Sequence, residues 1–238
     1  MKRVGVALVC SALIAAGCGD DTTTVDVFAA SSLTDAFTEL EVRFEAENPD
    51  IDIRLNLAGS DTLRRQIDDG AGADVFAPAS VDLFEGLDAE PVAYATNQLE
   101  VILSARVTVG DLTEGGAFDG LIVARCDPGV PCGSAADALI GQLGLDLNGA
   151  TITSEADVRA VLSKVELGEA DVGLVYRTDA LAGSDRITLT GLTSSEATVT
   201  LALAALDETN DGATRFAEFV VSSESAAVFT DLGFAPTR

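Results

Sequence analysis

Apolar and polar positions follow two rhythms along this chain, and their order predicts an α/β fold. In residues 51–57 the apolar Ile51, Ile53, Leu55 and Leu57 are separated by Asp52, Arg54 and Asn56, the period of a half-exposed strand. Just upstream, Phe37, Leu40 and Phe44 recur at helical spacing within residues 34–47, and Asn48-Pro49 closes that helix. The short apolar run 25–29 reads as the first strand, with further strands expected at 74–77, 99–105, 121–125, 172–176, 186–189 and 198–204. Helices are expected over 61–69, 80–88, 134–143, 154–167, 212–221 and 223–232, the last stopped by Gly233. No Pro-, Gly- or Ser-rich linker divides this stretch, so two lobes would have to share crossing strands.

The first residues break this rhythm. Lys2 and Arg3 precede an apolar run over 4–16, followed by Gly17 and Cys18, which is the order of a secretory signal and too short to span a bilayer comfortably. Ala15-Ala16-Gly17-Cys18 resembles a bacterial lipobox, with Ala15 where a Leu is usual. Cleavage before Cys18 would leave a lipidated cysteine on a polar tether, residues 18–24, and discard Cys10 with the signal over 1–17. An exported, lipid-anchored protein on the outer face of the membrane or in the periplasm is therefore expected.

Composition narrows the chemistry. Against 14 Lys and Arg stand 39 Asp and Glu, a formal charge of −25 that repels nucleic acid. The chain has no His, which removes the commonest neutral-pH general base and the commonest metal ligand. An enzyme using Cys126 or Cys132 as nucleophile would thus lack the usual base to activate its thiol. In an exported chain Cys126-Asp-Pro-Gly-Val-Pro-Cys132 reads by default as a disulfide, a metal pair being the alternative. The run Asp207-Glu-Thr-Asn-Asp-Gly212 partly fits a calcium loop, but Thr209 and Arg215 fit it poorly, and an acidic helix-capping loop is the preferred reading.

Two strand ends carry a more specific pattern. The first runs into Ala29-Ala30-Ser31-Ser32-Leu33-Thr34 and the second into Ala58-Gly59-Ser60-Asp61-Thr62, each opening a helix with small and hydroxyl residues. Free amides, helix dipoles and hydroxyls brought together in this way suit an oxyanion without requiring a lysine or arginine. Taken singly, each serine reads as an ordinary helix cap.

These segments, with Ala73-Asp-Val-Phe-Ala77, Asn97-Gln-Leu-Glu-Val-Ile-Leu103, Asp127-Pro-Gly-Val-Pro-Cys-Gly133, Asp157-Val-Arg159 and Gly173-Leu-Val-Tyr-Arg-Thr-Asp-Ala180, resemble the periplasmic molybdate-binding proteins of molybdate ABC importers. The resemblance runs in order over nearly all of residues 25–238. It implies a type II periplasmic-binding-protein-like fold, with a ligand cleft between two lobes joined by crossing hinge strands. Lobe one would combine residues 25–101 with 204–238, and lobe two would be 102–203. By the same resemblance the oxyanion, molybdate or tungstate, would be held by the hydroxyls of Ser32, Ser60 and Tyr176 and the main-chain amides of Cys132 and Val158. Cys132 replaces the family's Ala in a Pro-Ala-Gly loop, and a bridge to Cys126 would hold its amide in place. The resemblance further implies a protein that makes and breaks no bond and passes its ligand to a membrane permease driven by an ATPase; a monomer without a cofactor is expected. The same build holding sulfate or phosphate is the alternative.

Overall fold

The structure is a computed structural model, and it describes residues 22–108, 110 and 112–237. The signal segment, Cys10 and Cys18 lie outside the described residues. The described residues form nine strands and seven α-helices: β1 Thr23–Ala30, α1 Thr34–Glu47, β2 Ile51–Ala58, α2 Ser60–Asp68, β3 Val75–Ala77, β4 Val92–Ser104, β5 Ile122–Cys126, α3 Pro131–Leu143 and β6 Thr151–Glu155. The chain continues through α4 Val158–Leu167, β7 Val172–Tyr176, α5 Arg177–Ala182, β8 Ile187–Ala205, α6 Asp211–Val220, α7 Ser223–Asp231 and β9 Ala235–Pro236. A 3₁₀ turn over Ser31–Leu33 leads into α1.

Hydrogen bonding links the strands in the order β2-β1-β3-β8-β4-β7-β5-β6, with β9 added to β4. β1 is parallel to β2 and β3, β5 is parallel to β6 and β7, and β8 and β4 join the two groups through antiparallel pairing. Each parallel group requires helical crossovers, which the alternation of strand and helix supplies.

Two large hydrophobic cores follow from this order, beside a smaller cluster of Phe28, Leu63, Phe76 and Phe84. One packs Val25, Val27 and Ile53 beneath Phe37, Leu40 and Phe44 of α1, with Phe216 of α6 set edge-on to Phe37 and Phe44 at ring distances of 6.2 and 5.2 Å. The other gathers Leu99, Val101, Ile102, Val123 and Val172 beneath Leu139 of α3 and Val161 and Val165 of α4. The change of core falls between Ala95 and Leu99 along β4 and between Ala197 and Leu201 along β8. These two strands therefore run through both lobes. Their pairing is irregular there, with shifts of register between Gln98 and Glu100 and again between Glu100 and Ile102, the kind of bulge that lets a strand bend.

Most expected elements are present, and the differences have local causes. The strand expected from residue 25 starts at Thr23, inside the stretch assigned to the tether, because the Thr23 amide donates to Asp50 O at 2.8 Å and the strand pairs with β2 from there. The helix expected over 80–88 is only a 3₁₀ turn, Val81–Phe84, whose Ser80 cap accepts from the Asp82 amide before Gly86 turns the chain at φ 81°. The helix expected over 154–167 starts at Val158, capped by the Asp157 carboxylate accepting from Ala160 N, while Thr151–Glu155 forms an edge strand on β5. The separate strands 186–189 and 198–204 are one strand of 19 residues, β8.

Candidate functional site

Four strand-to-helix junctions, β1 into the 3₁₀ turn, β2 into α2, β5 into α3 and β6 into α4, meet where the two lobes face each other, and β7 contributes its last residue. Their ends line one small cavity: Ser31 and Ser32, Gly59 and Ser60, Pro131 and Cys132, Asp157 and Val158, and Tyr176, with Ala79 and Ala156 closing gaps. All five residues expected at the ligand, Ser32, Ser60, Cys132, Val158 and Tyr176, are thus brought together. The cavity is small, about 20 Å³, the scale of a compact group rather than a long chain. No Lys or Arg lines it.

The donors differ in how free they are. Neither serine caps its helix: Leu33 precedes α1 and Gly59 precedes α2, and neither helix has a side-chain cap bond. Ser32 Oγ is buried with no hydrogen-bond partner, and the hydroxyl of Tyr176 is in the same condition. A buried polar group left unpaired costs about 1–3 kcal/mol, so two such groups aimed at one cavity indicate a partner that satisfies both. Ser60 Oγ accepts from the Ala79 amide at 3.0 Å, which occupies a lone pair and leaves its own O–H free to donate. Burial, helped by Asp179, pushes the Tyr176 hydroxyl well above its ordinary pKa, so it stays protonated and remains a donor.

The amides of Cys132 and Val158 lie at the second position of α3 and the first of α4, where a helix has no acceptor of its own for its N–H groups. Three α-helix N-termini, of α2, α3 and α4, therefore point partial positive charge at the cavity. Cys132 is held from below. Its sulfur lies at bonding distance from that of Cys126, with Cα atoms 5.7 Å apart. Buried Arg125 donates to the carbonyls of Cys126 and Gly133 and pairs with Asp137 at 2.7 Å.

Gly59 has a part that periodicity cannot signal. A Cβ there would stand 2.8 Å from Ala156 O and 3.3 Å from the Asp157 Cβ, so only a glycine lets the first lobe approach the second this closely. The sequence reading also passed over Ser31, Ala79 and the charges behind the cavity, Asp35, Arg159 and Asp179. Arg159 and Asp179 do lie inside the recognised segments Asp157-Val-Arg159 and Gly173 to Ala180. Arg159 contacts Asp35 through Nη2 and Asp179 through Nε, the latter at 2.8 Å. Burial pushes the Asp179 carboxyl up to about 7, a rise that Arg159 opposes and Asp35 and Asp157 add to.

A two-lobed α/β frame closing a donor-rich cavity without Lys or Arg between its halves defines a solute receptor of the periplasmic-binding-protein-like class. The chain belongs to the bacterial extracellular solute-binding protein family, whose model matches residues 25–235. The molybdate-binding protein ModA of Mycobacterium tuberculosis is 34% identical over 223 residues, covering 88% of this chain and 83% of its own length. The solved periplasmic molybdate-binding protein of Azotobacter vinelandii superposes with a TM-score of 0.72 at 20% identity, covering 90% of this chain and all of the other. The sulfate-binding protein SubI of Mycobacterium tuberculosis superposes with a TM-score of 0.74 at 16% identity, over 90% of this chain and 87% of its own. The fold is therefore shared by receptors of different oxyanions, and the choice of ligand has to be sought in the cavity.

Proposed function

We propose that this protein captures a tetrahedral metal oxyanion, molybdate or tungstate, outside the cytoplasm and delivers it to the permease of an ABC importer. The observation that carries this reading is the pair of unpartnered buried hydroxyls, Ser32 and Tyr176, facing the same small cavity as Ser60 and the amides of Cys132 and Val158. A dianion accepts hydrogen bonds from every side and offers none, so it satisfies a set made only of donors. Neutral donors hold it without the cost of desolvating a lysine or arginine. Relatives named for molybdate support the choice of ligand.

In this reading residues 25–101 with 204–238 and 102–203 are the two lobes, the change of core along β4 and β8 marks the hinge, and Cys18 carries a lipid anchor. Ser32 and Ser60 meet the ion from one lobe, Cys132, Val158 and Tyr176 from the other, and closure completes the set. The protein acts as a monomer without a cofactor and performs no catalysis. The Cys126–Cys132 bridge fixes the loop that presents the Cys132 amide, and thiol titration of the exported, unfolded protein is expected to find no reactive cysteine between residues 19 and 238. Two reactive thiols there would remove the bridge from the reading.

The deciding test is the thermal midpoint of the protein lacking residues 1–18 with molybdate, tungstate, sulfate and phosphate in turn. At a ligand concentration 1,000 times Kd the native state gains about 4 kcal/mol, which for a chain of this size raises the midpoint by roughly 8–16 °C. A rise with molybdate and tungstate, and none with sulfate or phosphate, is the expected result. No rise with any of the four would sink the oxyanion reading.

A further inference from the structure

We propose that Arg159 is a closure latch: its ion pair with Asp35 clasps the two lobes over the bound ion and sets how slowly that ion leaves. The proposal rests on the oxyanion-receptor reading and adds to it two residues that touch no ligand.

Each partner in this cluster sits next to a donor. Asp35 lies in the first turn of α1, three residues after Ser32; Arg159 directly follows Val158 in α4; and Asp179 lies in α5, three residues after Tyr176. One guanidinium therefore ties together α4, which carries the Val158 donor, and the two helices that directly follow the Ser32 and Tyr176 donors. Arg159 and Asp179 belong to the lobe built on the second core, Asp35 to the lobe built on the first. Among the described residues the other ion pairs join groups within a single lobe, except Arg177 with Glu100, which lies on β4 beside the change of core rather than across the cleft.

The two carboxylates have different duties. Asp179 is fully buried and stays with Arg159 on the same lobe, so it holds the guanidinium in place whether the cleft is open or shut. Asp35 is 45% exposed on its side chain and comes within reach only when Ser32 stands opposite Val158 and Tyr176. A guanidinium aimed in advance loses little freedom on pairing. The pair thus forms at closure, close to the ion but outside its coordination, which is where a contact changes release more than capture.

The test compares wild type, Asp35→Asn and Asp35→Glu as full chains. Sodium molybdate release is followed after a chase, association by rapid mixing, and lobe separation by small-angle scattering. Asp35→Asn is expected to release molybdate about three- to tenfold faster, the scale of a half-exposed pair, with association within about twofold of wild type. High salt is expected to speed release from wild type and not from the variant. Asp35→Glu restores slow release, and the ligand-free thermal midpoint moves by less than about 2 °C, as a single surface charge in a helix's first turn requires. Release from Asp35→Asn at the wild-type rate would overturn the latch. If wild type binds no molybdate, the receptor reading fails by itself and scattering of the ligand-free proteins decides: a more open variant supports the latch, and identical profiles overturn it.

Discussion

Replacing Ser32 with Ala and Tyr176 with Phe in the same molecule is expected to weaken molybdate binding by about two to four orders of magnitude. The figure comes from two hydrogen bonds to a charged acceptor, each contributing about 1.5–3 kcal/mol. The companion effect makes this prediction specific. Both hydroxyls are buried with no partner in the protein, so removing them breaks no bond that holds the fold. The thermal midpoint without ligand is expected to stay level while affinity collapses. Calorimetric titration and a melting curve on the same sample read both. An affinity loss under threefold would show that these hydroxyls do not meet the ion.

Gly59→Ala is expected to cost about five- to a hundredfold in molybdate affinity, without touching any donor. Gly59 has φ −59° and ψ 135°, a conformation open to any residue, so alanine folds there without backbone strain. Its methyl group, however, would stand 2.8 Å from Ala156 O on the opposite lobe. That obstacle is backbone and cannot swing aside, and overpacking of this kind costs about 1–3 kcal/mol, levied only on the closed form. The variant is therefore expected to keep its ligand-free stability, remain open in small-angle scattering and bind weakly. A variant that closes and binds like wild type would show that the lobes tolerate a wider gap at this point.

The legible part of the fold was the part whose burial leaves a period. Helix α1 was readable to the residue because Phe37, Leu40 and Phe44 fill one face, and β2 because one side is apolar and the other is not. Thr151–Glu155 escaped because an edge strand lying mostly in solvent has no apolar alternation to show. The full length of β8 escaped because its middle, crossing between lobes, is largely exposed and carries Thr, Ser and Glu where an interior strand would carry Val or Ile. In the site, the five lining residues could be placed by motif alone. Whether a serine is a cap or a free donor depends on where a single hydroxyl points, and that is fixed by packing: Leu33 and Gly59 take the cap positions, leaving Ser32 and Ser60 to face inward. Nor could the sequence pair Asp35 with Arg159, since they lie 124 positions apart and meet only through the closed fold.

The shared course of β4 and β8 also bears on how such receptors diversify. The chain enters the second lobe along β4 and leaves it along β8, and these strands are antiparallel neighbours over most of their length, so the lobe's two ends lie about 5 Å apart, one strand spacing. In topological terms the second lobe is a cassette inserted into a single gap of the first. A segment with adjoining ends and a core of its own can be excised or traded between relatives without rethreading the rest of the chain. Because Cys132, Val158 and Tyr176 all travel with that cassette and Ser32 and Ser60 stay behind, recombination at this one ribbon would pair old and new halves of the cavity in a single step.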